Sequence, residues 1–188
     1  MHNWSPRIPV DSGPSTSIDD EAAERVEEVL AGPGLYLDLG TVTVRVRSSL
    51  RSFADHVRLL YGAFPFQRTA DFSDIHVDLR LPRSLRRLLR PQATFSVDET
   101  FPFDAFPADS AFPLFEWGVN WCLSMRLNQH LLLHAGVVEH RGHAIILAAL
   151  PGSGKSTLTA ALMLNGFRLL SDEFCVVRLD TGTVQALL

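Results

Sequence analysis

The chain has 188 residues, 46% of them hydrophobic and 20% charged, the composition of a folded protein that buries a sizeable core without disulfide or metal staples. At roughly 150 residues per domain this is one large domain or two small ones. Its 17 basic and 21 acidic residues leave a formal charge of −4, which gives no general electrostatic reason to bind nucleic acid or an anionic membrane.

Residues 1–34 read as a flexible tail with one short helix. Pro6, Pro9, Gly13 and Pro14, with the serines and threonines around them, argue against packing up to Ser17. The start, Met1-His2-Asn3-Trp4-Ser5-Pro6, lacks the basic and apolar regions of a signal peptide, and no apolar run reaches the ~18 residues of a membrane span. Ser17-Ile18-Asp19-Asp20 reads as a capping box for a helix over 21–30, which Gly32-Pro33-Gly34 ends.

Residues 35–110 form an α+β region. Segments 35–39 and 42–46, split by Gly40-Thr41, predict a hairpin with alternating valines. Segment 52–61 carries Phe53, Val57, Leu60 and Tyr61 at helical spacing, and 75–79 alternates as a strand. Arg80, Arg83, Arg86, Arg87 and Arg90 cluster in a segment that reads as solvated and amphipathic, with Leu81, Leu85, Leu88 and Leu89 inward. Docking of phosphates or of an acidic partner is the other reading of that cluster. Residues 101–113 read as an ordered connector, and 114–127 as a helix whose Trp117 and Trp121, four apart, belong to a core. Cys122 and Cys175 sit among apolar neighbours and form no CxxC motif, as expected of a protein in a reducing cytoplasm.

The chemistry concentrates in 134–180. Two apolar strands, 137–140 and 143–149, flank an Arg141-Gly142 turn. The second runs into Ala149-Leu150-Pro151-Gly152-Ser153-Gly154-Lys155-Ser156 and a helix over 157–164, capped by Asn165-Gly166. Strand, glycine-rich loop and helix are the context of a phosphate-binding P-loop, with Ala149 at its first glycine position. Small residues let backbone N–H groups turn onto phosphate oxygens at the positive end of a helix. Leu150, Pro151, Gly152, Ser153, Gly154, Lys155, Ser156 and Thr157 are therefore the candidate ATP- or GTP-binding residues. Sixteen of the 17 basic residues are arginine and Lys155 is the one lysine, placed where a flexible point charge meets the β- and γ-phosphates. The Ser156 hydroxyl would ligate Mg²⁺.

Segment 167–170 reads as a buried parallel strand ending in Ser171-Asp172-Glu173. Acids at the carboxyl edge of such a sheet lie beside the phosphate loop, where one holds Mg²⁺ and another accepts a proton from an incoming hydroxyl. His134 follows three leucines. Alone, it reads as a core histidine.

The order of these motifs resembles the catalytic domain of HPr kinase/phosphorylase, a P-loop protein-serine kinase. Glu116-Trp117-Gly118-Val119-Asn120-Trp121-Cys122, Pro151-Gly152-Ser153-Gly154-Lys155-Ser156-Thr157 and Arg168-Leu169-Leu170-Ser171-Asp172-Glu173 look like the subgroup called HprK-related kinase A. The resemblance implies ATP- and Mg²⁺-dependent phosphoryl transfer to a hydroxyl, a serine of a small protein or peptide. It makes Asp172 the proton acceptor, Lys155 and Ser156 the phosphate and Mg²⁺ residues and His134 an active-site histidine, while Glu173 reads as a helper of Ser156 at the metal. Thr157 stands where the family carries an acid, and Glu173 where it carries a second aspartate.

The expected fold class is α/β: a P-loop kinase-type sheet over 111–188, incomplete at its C-terminus, preceded by the α+β region. A sheet of this kind needs further strands to cover its faces and edges, so the 188 residues are expected to be a fragment of a longer kinase, one that forms homo-oligomers as HPr kinases do. A kinase of small-molecule alcohols and a nucleotide-binding module without transfer activity are the alternatives.

Overall fold

The computed structural model describes residues 16–18, 23–62, 65–67, 72–82 and 90–187. It is a mixed α/β structure with four α-helices and two sheets among these residues. None of the helices is long and apolar enough to cross a membrane. The chain divides into two compact units. The first comprises the described residues of Ser12–Asp38 and Val42–Cys122, the second Leu39–Thr41 and the described residues from Leu123 onward.

The first unit contains β1 (Thr16–Ser17), α1 (Ala23–Ala31), β2 (Leu35–Asp38), β3 (Thr43–Ser48), α2 (Arg51–Tyr61), β4 (Pro65–Gln67), β5 (Ile75–Arg80), β6 (Gln92–Val97), β7 (Phe106–Pro107) and most of α3 (Ala111–Arg126). The seven strands lie in the order β1-β4-β2-β3-β5-β6-β7. Alternation places Val44 and Val46 on the buried face of β3, with Arg45 and Arg47 on the other. β2 and β3 form the expected antiparallel hairpin, whereas β3 and β5 are parallel, joined by a crossover that includes α2. α1 packs on α2 and β3, and its Val26 and Leu30 are buried. The expected capping box lies partly outside the described residues, as do positions 83–89 of the arginine cluster. Arg80, at the cluster's start, pairs with Asp78 at 2.8 Å.

α3 begins three residues before the expected start, at Ala111. Pro113 falls in its first turn, where a missing N–H costs no helical bond, so the connector composition hid the helix start. The two tryptophans do share a face, but not a sealed core. Trp117 is 50% exposed and stacks on Phe103 at 4.2 Å, while Trp121 meets the same ring edge-on at 5.6 Å. The buried centre is instead Phe53, Phe95 and Phe115. Gly118 lets α3 close onto Phe95, whose ring would lie 2.3 Å from an added Cβ.

The second unit holds β8 (His130–His140), β9 (His143–Ala148), α4 (Lys155–Leu164), β10 (Arg168–Ser171), β11 (Phe174–Arg178) and β12 (Val184–Gln185). β8 is its spine. It starts at His130, well before the expected residue 137, so His134 sits within the strand. β9 returns along one edge of β8 through Arg141 and Gly142, both in the left-handed region (φ 52° and 80°), as a two-residue hairpin requires. On the other edge β10 and β11 run one after the other. Ser171 pairs with Val137 and Phe174 with His134, a shared register that places Asp172 and Glu173 opposite Gly136 and Ala135.

The strand before the acidic pair is thus not parallel to its neighbour. β10 pairs antiparallel with β8, and every pairing in this sheet is antiparallel. β9 and β10 point the same way, as the sequence pattern implies, but the length of β8 lies between them. Ala135, Val137, Leu170 and Cys175 form the buried core, flanked by Leu133, Val177, Val184 and Ala186. Neither Cys122 nor Cys175 is in a disulfide, and both are buried.

Candidate functional site

β9 feeds the exposed loop 149–154 and then α4, so strand, loop and helix follow one another as predicted. Gly152 and Gly154 take φ of 80° and 86°, a backbone that L side chains rarely adopt, and a Cβ at either would meet nothing within 4 Å. The glycines are needed here for conformation, not for space. The Ser153 N–H donates to the Leu150 carbonyl at 3.2 Å, closing the turn. Gly154 is the N-cap, and the Leu158 N–H donates to its carbonyl at 2.9 Å. First-turn amides of a helix lack intrahelical acceptors. Lys155, Ser156 and Thr157 occupy that turn. At the far end, the Asn165 and Gly166 amides donate to the Leu162 and Met163 carbonyls, with Gly166 at φ 88°, the expected cap.

α4 is held against β8 by a close approach. Thr159 is 2% exposed, and its hydroxyl donates to the Lys155 carbonyl at 3.1 Å. A Cβ on Gly136 would lie 2.5 Å from Thr159 Oγ1, 3.4 Å from Asp172 Oδ1 and 3.7 Å from Lys155 Cγ. Gly136 therefore marks where β8, α4 and the acidic bend converge. Sequence reasoning missed Gly136 and Thr159 as a pair, since nothing in either segment says that they meet.

Around this point the candidate residues gather. Lys155 Nζ donates to His134 Nε2 at 2.9 Å. On the other side of the ring, His134 Nδ1 lies 3.3 Å from Glu173 Oε1, with both side chains about half exposed (50% and 49%). The Phe174 ring stands edge-on to the imidazole at 6.3 Å. The bend itself is tied down: the Ala135 N–H donates to the Glu173 carbonyl at 3.2 Å, and the Glu173 and Phe174 amides donate to Ser171 Oγ. Three elements thus bring together Lys155, His134, Asp172 and Glu173, with Ser156 next to Lys155 on the first turn of α4. Among the described residues no three His, Cys, Asp or Glu side chains group as a metal site.

At the hairpin end of β8 a second set of charges is structural. Glu139 accepts from the Gly142 N–H at 2.7 Å and from Arg168 Nε at 3.1 Å, which hold its carboxyl below the usual range. His140 stacks on Phe167 at 4.4 Å.

Compared with family models, with curated proteins and with solved structures, the chain matches none.

Proposed function

We propose that the chain is a P-loop phosphotransferase. More narrowly, we read it as an HPr-kinase-like module that moves the γ-phosphoryl of ATP to a hydroxyl, a serine of a small protein or peptide. The observation that carries the reading is the meeting of Lys155, at the start of a helix behind a loop with two left-handed glycines, with His134 and the Asp172–Glu173 bend.

The donor set suits a nucleoside triphosphate. Residues 150–154 offer an exposed backbone, α4 its positive end, and Lys155 and Ser156 an ammonium and a hydroxyl. Ser156 and Glu173 are the residues that would hold Mg²⁺, which supplies charge neutralisation on the phosphates when bound. Asp172 is exposed beside Gly136 and suits acceptance of a proton from the incoming hydroxyl. His134 holds the lysine. That neither Cys122 nor Cys175 is in a disulfide suits a cytoplasmic setting.

The test begins with ATP binding by calorimetry. Lys155→Ala removes the cation and leaves backbone donors, so affinity should fall at least tenfold, about 1.4 kcal/mol. Equal binding by both proteins would overturn the assignment. Incubation with γ-labelled ATP, Mg²⁺ and candidate acceptors then reads the chemistry: label on a protein serine supports transfer as proposed, and label on a small alcohol or nowhere refutes that part.

A further inference from the structure

A lysine ammonium has three donors and no acceptor. With Lys155 Nζ 2.9 Å from His134 Nε2, that nitrogen must present its lone pair, so the ring proton belongs on Nδ1. Nδ1 lies 3.3 Å from Glu173 Oε1, within donor–acceptor reach though not aligned as a hydrogen bond. Glu173 is placed for this by its backbone: its carbonyl takes the Ala135 N–H and its amide donates to Ser171 Oγ. The three side chains form a directed line from carboxylate through imidazole to ammonium.

We propose that Glu173 is a positioning residue: it fixes the His134 tautomer that holds Lys155 in place for the phosphates. This rests on the nucleotide-binding reading above and adds a duty for Glu173 that needs no metal. A free imidazole favours its proton on Nε2. Without the Glu173 carboxylate, His134 would turn an N–H toward an ammonium that can only donate, and Lys155 would lose its support. Side-chain length matters here. An aspartate is one methylene shorter and would draw back from Nδ1, whereas glutamine keeps both the length and a carbonyl acceptor.

Histidine-selective ¹⁵N NMR on the full chain, with the His134 signals assigned through His134→Gln, reads the tautomer directly and without nucleotide. Wild type and Glu173→Gln should show the proton on Nδ1, while Glu173→Ala and Glu173→Asp should shift it to Nε2. ATP binding in EDTA, where no metal contributes, should weaken about three- to tenfold in Glu173→Ala and Glu173→Asp, the scale of one lost hydrogen bond, with Glu173→Gln near wild type. An Nε2 proton in wild type, an unchanged tautomer in Glu173→Ala, or equal ATP loss in Glu173→Gln and Glu173→Ala would overturn the proposal. Failure of the site reading looks different: Lys155→Ala would then leave ATP binding unchanged while the tautomer still followed residue 173.

Discussion

Gly136→Ala tests how α4 is seated. The substitution meets no backbone obstacle, because Gly136 is not among the residues with positive φ. Its Cβ would, however, stand 2.5 Å from Thr159 Oγ1, well inside van der Waals contact. Thr159 is buried, stiff at its branched Cβ and bonded to the Lys155 carbonyl, so it cannot simply swing aside. Either that bond breaks or the first turns of α4 lift from β8. Overpacking of this kind costs about 1–3 kcal/mol, and replacing a strand glycine returns about 0.5–1 kcal/mol of chain entropy, leaving a net loss of about 1–2 kcal/mol. Urea unfolding followed by far-UV circular dichroism, on wild type, Gly136→Ala, Thr159→Ala and the double variant, measures it. In the Thr159→Ala background the added methyl keeps only the entropy gain of about 0.5–1 kcal/mol, giving a coupling of about 1–3 kcal/mol. A Gly136→Ala protein as stable as wild type, or one equally destabilised in both backgrounds, would refute the seating argument.

Lys155→Arg should not restore the ATP affinity lost in Lys155→Ala, because a planar guanidinium does not replace a compact ammonium between His134 and phosphate; calorimetry on both variants decides it. Asp172→Asn should keep ATP affinity within a few-fold yet lower phosphoryl transfer by about 10² or more, the scale of a lost general base, read as γ-label on the acceptor. Loss of Mg·ATP binding instead would move Asp172 to the metal. In the first unit, the Tyr61 hydroxyl donates to Glu116 Oε1 at 2.7 Å, and burial raises the Glu116 carboxyl above its ordinary range against the smaller opposing effect of that bond. The folded protein therefore keeps this proton to higher pH than the unfolded chain. That stability is fully present below the ordinary carboxylate value and is lost as pH rises through the raised folded one. Glu116→Gln, which keeps an acceptor for Tyr61, should gain on wild type in thermal melts as pH rises from about 4 to 7. Parallel profiles would contradict this.

The local devices were legible because single residues carry them. Alternating valines specified β3, Arg141-Gly142 and Asn165-Gly166 marked a hairpin and a helix end, and the glycine loop stood between β9 and α4. What failed was anything that depends on partners distant in sequence. A strand 168–171 looks the same whether its neighbour is parallel or antiparallel, and the apolar run Leu131-Leu132-Leu133 has no alternation to announce that β8 already includes it. The contacts of His134 were hidden for the same reason. Its partners come 21 and 39 positions later in the chain, and only the register of β8 with β11 and the seating of α4 bring them to either side of one ring. Trp117 and Trp121 were placed on one face correctly, but the ring they share, Phe103, comes from a segment with no periodic pattern.

The arginine-for-lysine habit of this chain has a practical side. Lys155, with its ammonium on His134, is the one lysine in 188 residues. An acylating reagent, a cross-linker or an acetyltransferase that acts on lysine side chains finds a single ε-amine here, and it is the one at the candidate site. Each covalent tag on a lysine within these 188 residues is then a direct report on that site, and a nucleotide that covers Lys155 should register as protection from labelling.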